Sequence, residues 1–406
     1  MPPTGTTLET FTVDVPEETL TDLRRRLRAT RWDADPDNAD SSYGISTATL
    51  RELVDYWVDG FDWRAQEAAI NAFPQHRVEV GGHPVHFVRQ PGRGPDPVPL
   101  VLSHGWPWTF WDWSKVIGPL ADPAAYGGDP ADAFDVVVPS LPGFGFSTPA
   151  PPDTNFWKIA DTWHTLMTEV LGYPRFAAAG SDYGSLVTAQ LGHRYAADLV
   201  GIHLGMDLPL DRYNSELYWG GGRGIPEGAS PELRAGWMRY FETYASHFSA
   251  HMLDGQTLTH ALADSPVGML AWLLQRWRRW SDPAVPFEEV FTRDHVLTNA
   301  TLYWVTETIG SSIRIYRNGV RYPWRPSHDR TPAVEAPAGF TFLAGDAYPP
   351  GATAENRIAL FEQGPTRKWF APVLVEVADR GGHFTGWENP EAVIQGIRAT
   401  LRPLRR

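Results

Sequence analysis

Five residues constrain this chain more than any others: Gly180-Ser181-Asp182-Tyr183-Gly184. They follow an apolar run at 176–179 and precede a stretch that reads as helix through Leu191. A strand that passes into a helix through Gly-x-Nuc-x-Gly is a nucleophile elbow, with the central side chain exposed at the top of a sheet. Here the central residue is aspartate rather than serine. A carboxylate is already ionised near neutral pH and can attack carbon directly. The product is an alkyl ester of the protein, where serine would give an acyl-enzyme. That substitution points to strained or activated C–O or C–halogen bonds.

The strand–loop–helix rhythm starts at Pro97 and repeats. Residues 100–103 run into His104-Gly105-Trp106-Pro107, and Phe134–Pro139 runs into Leu141-Pro142-Gly143-Phe144-Gly145. Leu199–Leu204 follows the elbow helix. The rhythm returns at 340–344, followed by Asp346, and at 373–377, followed by Gly381-Gly382-His383-Phe384. Ile397 and Leu401 belong to a closing helix. Apolar strands alternating with helices predict an α/β protein with a mostly parallel sheet covered on both faces. Residues 212–325 break the pattern: they are helical, aromatic and punctuated by Gly and Pro, as an inserted helical lid would be. Ahead of the core lies a leader with helices over Glu17–Arg28 and 47–58, then a hairpin in 77–88 turning at Gly81-Gly82. The expected organisation is a wrapping leader at 1–95, core at 96–211, lid at 212–325 and core again at 326–406.

Composition narrows the class. The 406 residues carry a formal net charge of -13 with no basic stripe, so nucleic acid is not an expected partner. There is no cysteine, which excludes disulfides and Cys-ligated metals. Residues 1–15 lack a basic segment followed by an apolar run, and no stretch of roughly 18 apolar residues occurs. Neither a secretory signal nor a membrane association is expected, and the expected location is the cytoplasm. The 18 Trp suit an aromatic-lined cavity, although most such rings serve core packing.

Three strand ends supply Asp182, Asp346 and His383, in the order nucleophile, acid, base that α/β-hydrolases use. Ligands of open α/β sheets bind at these ends. An ester on Asp182 must be hydrolysed, and water is a poor nucleophile, so His383 is the candidate base and Asp346 its orienting acid. The oxyanion formed on the way needs backbone donors, and the N–H groups of Tyr183 and Trp106 are the candidates. Each residue alone has a bland reading: an Asp after a strand as a turn residue, Gly-Gly-His or His-Gly-Trp-Pro as turns only. Their conjunction carries the catalytic reading. No metal or organic cofactor is required by it.

At these residues the chain resembles epoxide hydrolases of the microsomal type, within the α/β-hydrolase superfamily, over nearly its whole length. Arg31-Trp32, Tyr56-Trp57 and Phe61-Asp62-Trp63-Arg64 resemble the family's amino-terminal domain. His104-Gly105-Trp106-Pro107 resembles its oxyanion loop, and Asp264-Ser265-Pro266-Val267-Gly268 with Ala271-Trp272 its lid signature. Gly381-Gly382-His383-Phe384 with Glu388-Asn389-Pro390-Glu391 resembles its catalytic-His segment. The resemblance implies the nucleophile at Asp182, the base at His383 and the acid at Asp346. Ala344-Gly345 replaces the family's Phe-Pro before the acid, so Glu355 is the fallback. It also implies two lid tyrosines that hydrogen-bond the epoxide oxygen. One falls on Tyr316. The other falls, by its spacing from Asp264, on His247, so the second donor is His247, or Tyr244 one turn earlier, or absent.

The implied reaction opens an epoxide to a vicinal diol, with a small-molecule epoxide and water as the only partners; a homo-oligomer is compatible with the sequence. The family's membrane anchor is missing, which suggests a soluble bacterial member. The Trp-rich segment 106–113 and the aromatic lid suit a bulky aryl epoxide, as in bacterial secondary metabolism, including enediyne antibiotic biosynthesis. A haloalkane dehalogenase shares the Asp and His but often has a Trp, not Tyr183, beside the nucleophile. A catalytically dead hydrolase fold acting as a binding module would not need both Asp182 and His383. A serine esterase is weaker still, because Ser181 and Ser185 miss the elbow's centre.

Overall fold

The computed structural model describes residues 8–214, 227–346 and 351–405. Its strands are β1 (Glu9–Phe11), β2 (Gln75–Val80), β3 (His83–Gln90), β4 (Val98–Ser103), β5 (Phe134–Pro139), β6 (Phe176–Gly180), β7 (Leu199–Leu204), β8 (Val334–Leu343) and β9 (Phe370–Ala378). They form one sheet in the order β1-β2-β3-β5-β4-β6-β7-β8-β9. The first three pairings are antiparallel. Those from β5 through β9 are parallel. The arrangement is the α/β-hydrolase fold, with a leader domain in front and a helical insertion. Central strands are apolar along their length because helices cover both faces: Leu100, Val101, Val136 and Val137 have no exposed surface.

The helices of the leader are α1 (Glu17–Arg28), α2 (Thr47–Asp59) and α3 (Trp63–Asn71). Those of the first part of the core are α4 (Ser114–Ala121), α5 (Phe156–Thr165) and α6 (Tyr183–Arg194). The insertion contributes α7 (Pro231–Asp264), α8 (Pro266–Trp280), α9 (Phe287–Val290), α10 (Arg293–Val305) and α11 (Ile309–Arg321). The chain closes with α12 (Arg357–Gln363), α13 (Thr385–Glu388) and α14 (Pro390–Leu401). Helix starts follow local chemistry: the Ser46, Asp62 and Ser265 side chains each accept a first-turn N–H of α2, α3 and α8. In α1, Leu20, Leu23 and Leu27 bury one stripe, and acids begin and arginines end the helix, as its dipole favours.

The leader braces the insertion from outside. Tyr56 Oη donates to Asp294 Oδ1 at 2.8 Å, and Trp57 Nε1 donates to Thr301 Oγ1 at 3.0 Å. Arg26 Nη1 donates to the carbonyl and carboxylate of Asp264 at 2.9 and 3.0 Å.

Several expected elements differ from those observed. β8 begins six residues before the expected 340, because Pro337 reads as a strand breaker. The strand absorbs it with register shifts against β9 at Val334/Pro337 and at Ala338/Gly339. β1 is too short and polar to read from sequence, and α3 was not expected as a helix. α7 is interrupted at Asp254, where φ −127° and ψ 23° leave the helical region. The part of the expected lid at 215–226 lies outside the described residues.

Candidate active site

The elbow follows β6 and opens α6. Asp182 takes φ 53° and ψ −127°, a conformation that non-glycine residues rarely hold. The turn is this tight because its flanking glycines allow close contact. A Cβ on Gly180 would stand 2.4 Å from the Gly184 carbonyl oxygen, and one on Gly184 2.1 Å from that of Ser103. Asp182 Oδ1 accepts the backbone N–H of Trp106 at 2.9 Å. The Trp106–Pro107 bond is cis. Tyr183 is the first residue of α6, and its hydroxyl accepts from Tyr213 Oη at 2.8 Å.

His383 lies between two carboxylates. Its Nε2 is 3.3 Å from Asp182 Oδ2 and its Nδ1 is 3.5 Å from Asp346 Oδ1. Both are charge-assisted contacts at the long end of hydrogen-bond distance. Burial alone would lower the imidazole; Asp182 and Asp346 outweigh it and push the value up to about 10. The two carboxylates thus favour the charged form of the ring despite its burial. Asp346, just beyond β8, also accepts from Tyr244 Oη at 3.4 Å. Glu355 is exposed and lies apart from these groups.

A cavity of about 520 Å³ opens over Asp182, and Tyr244, His247, Trp280, Tyr316 and His383 line its reactive end. Tyr316, on α11, is buried, with its ring 5.1 Å from that of Tyr183 and 5.9 Å from that of Trp106. His247 and Tyr244, on α7, are one turn apart but do different things. The His247 ring lies parallel to Trp106 at 5.6 Å and 5°, and burial keeps its pKa well below the usual imidazole value, so it is neutral. The Tyr244 hydroxyl turns toward Asp346, and burial, then the Asp346 charge, raises its pKa.

Asp282 and Glu388 escaped the sequence reading as functional residues. Both are buried, and they supply acceptors to the backbone that carries His383. Gly381 N donates to Asp282 Oδ2 at 2.7 Å. Gly382 N and Phe384 N donate to Glu388 at 2.9 and 3.0 Å. Burial pushes Glu388 up to about 7, against backbone donors that lower it. The only available signal was the Glu388 five positions after the histidine, in a segment already singled out; Asp282 is far away in sequence and had none. Among the described residues, no group of three or more His, Cys, Asp or Glu is placed to hold a metal ion, and no helix is long and apolar enough to cross a membrane.

Comparisons with known proteins agree with this geometry. Residues 8–113 match the family model described as epoxide hydrolase N terminus, and residues 98–201 match that for the alpha/beta hydrolase fold. A protein of Stigmatella aurantiaca (strain DW4/3-1) that bears an epoxide hydrolase name is 36% identical over 399 residues, covering 97% of this chain and 85% of its own. Epoxide hydrolase 1 of Sus scrofa is 28% identical, covering 96% and 87%. The structure of Aspergillus niger epoxide hydrolase superposes with a TM-score of 0.77 at 27% identity, covering 98% of this chain and 97% of that one. With an aspartate elbow, an aspartate–histidine pair over a lidded cavity and these relatives, the chain belongs to the epoxide hydrolase family.

Proposed function

We propose that Asp182 opens an epoxide by attack on one carbon, and that His383-activated water then hydrolyses the ester to release a vicinal diol. The observation that carries this assignment is the Asp182 carboxylate itself. One oxygen is held by the Trp106 N–H and the other faces His383. Oδ2 is the attacking oxygen in this reading. Oδ1 becomes the ester carbonyl and already sits on the oxyanion donor, with the Tyr183 N–H as second donor. Tyr316 donates to the epoxide oxygen as it becomes an alkoxide, and Tyr244 assists once its hydroxyl turns from Asp346 to the same oxygen. His247, stacked on Trp106 and neutral, is a weaker proton donor and serves as wall. Asp346 holds His383, and Glu355 has no part.

Water adds to the ester carbonyl while His383 takes its proton. The acyl–oxygen bond then breaks, so the diol leaves with Oδ2 and the water oxygen remains in the Asp182 carboxylate. In this organisation residues 96–211 and 326–406 carry Asp182, Asp346 and His383, 212–325 the roof with its tyrosine donors, and 1–95 the brace. We assign a bulky aryl epoxide as substrate, because aromatic rings surround the reactive end of the cavity. The chemistry fits an epoxide made in bacterial secondary metabolism, such as antibiotic biosynthesis, processed in the cytoplasm.

Multiple-turnover mass spectrometry with styrene oxide in heavy-oxygen water tests the route. Label in Asp182 supports it. Diol formation without label in Asp182 means direct water attack and ends the assignment. Comparing aryl with small alkyl epoxides tests the substrate class, and higher kcat/KM for the alkyl ones would refute it.

A further inference from the structure

All four backbone N–H groups of residues 381–384 have acceptors, and none is supplied by an ordinary strand or helix ladder. Gly381 is held by Asp282 Oδ2, Gly382 by Glu388 Oε2, His383 by the Trp280 carbonyl at 2.8 Å, and Phe384 by Glu388 Oε1. The network is closed by Asp282 N, which donates to Glu388 Oε2 at 2.8 Å. Trp280 and Asp282 sit at the end of the lid helix α8, whereas Glu388 lies in α13 of the core. No ion pair with a base neutralises Asp282 or Glu388 among the described residues. Two buried carboxylates without a paired cation are costly to keep. A turn that only had to be closed could use neutral acceptors.

From these contacts, and resting on the ester mechanism above, we propose that Glu388, with Asp282, is a positioning residue for His383 that ties the lid to the ester-hydrolysis step. The His383 ring has to keep Nε2 toward Asp182 while Nδ1 faces Asp346, and both contacts are already long at 3.3 and 3.5 Å. A small shift of residues 382–384 moves the base away from the water it activates. Attack by Asp182 on the epoxide does not depend on that alignment. Gln at 388 keeps one acceptor oxygen and turns an amide N–H₂ toward backbone N–H groups that need acceptors. The clamp then loosens at one or two of its bonds.

The test is rapid-quench kinetics of Glu388→Gln with styrene oxide, following the alkyl-enzyme by intact mass and the diol by chromatography. The expected result is wild-type alkylation with ester hydrolysis slowed roughly 10- to 100-fold. The ester accumulates, kcat and KM fall together, and kcat/KM stays near the wild-type value. Wild-type hydrolysis in a folded Glu388→Gln enzyme overturns the proposal, and so does an equal loss in both steps. If Glu388→Gln does not fold, Asp282→Asn carries the same test, because it turns an amide N–H₂ toward either the Gly381 N–H or the Ala284 N–H that the carboxylate accepts. Absence of an ester in the wild-type enzyme overturns the mechanism and the clamp together, which separates that failure from a failure of the clamp alone.

Discussion

Alkylation of Asp182 should reset the charge on His383. Burial works against the resting imidazolium, and two carboxylates hold its pKa near 10 nonetheless. The ester removes one of those charges, 3.3 Å away. Unit charges at that separation interact by about 5 kcal/mol at an effective dielectric near 20. That corresponds to a fall of roughly 3–4 pKa units, which brings His383 back toward its ordinary range. The first chemical step thereby creates the base that the second step needs. In the proposed mechanism the shed proton replaces the one Tyr316 gives to the alkoxide, so the cycle balances.

Asparagine at 182 is a stable stand-in for the neutral ester, and NMR titration of labelled histidine rings reads the effect. The His383 ring should stay charged to pH near 10 in the wild type and titrate about 3 units lower in Asp182→Asn. A wild-type ring that titrates at the ordinary histidine value, or one unmoved by the substitution, would refute the argument. Stability follows with a definite sign. Because the folded-state pKa is raised, the His383 contribution is complete below the unfolded value and lost as pH rises through about 10. Asp182→Asn should flatten that alkaline limb in denaturation curves.

Four further outcomes are expected. His383→Gln should form the Asp182 ester once and then hydrolyse it about 10²–10⁴-fold more slowly; normal steady turnover would remove His383 as the base. Tyr316→Phe should slow alkylation by about 10²–10³, and Tyr244→Phe should slow it more than His247→Leu in the same single-turnover assay. The reverse order would make His247 the second donor. Gly184→Ala should lower stability by about 1–3 kcal/mol, read as a drop in Tm, because its Cβ falls on the Ser103 backbone; an unchanged Tm would show that the elbow can relax.

What could be read from sequence was what depends on neighbouring residues. The elbow announces itself through Gly180 and Gly184, and α1, β5 and β7 have the bounds their apolar patterns imply. Order along the chain was enough to nominate Asp182, Asp346 and His383. Choices that depend on rotamer or distant contact were not legible. Spacing favoured His247 over Tyr244, yet spacing along a helix says nothing about where each side chain turns. Here one ring lies on Trp106 and the other hydroxyl reaches Asp346. Likewise Asp346 and Glu355 differ only in what they approach in space. Asp282 lies 99 residues from the N–H it holds, so no local pattern could reveal it.

The leader's grip on the insertion has a consequence for selectivity. Tyr56, Trp57 and Arg26 fasten α10 and the end of α7. These bonds hold α10 and the far end of α7, whereas Tyr244 and His247 lie on the part of α7 before its interruption at Asp254. Through these anchor points the leader is expected to influence the insertion, and substitution of Tyr56 or Trp57 should alter which carbon meets the carboxylate.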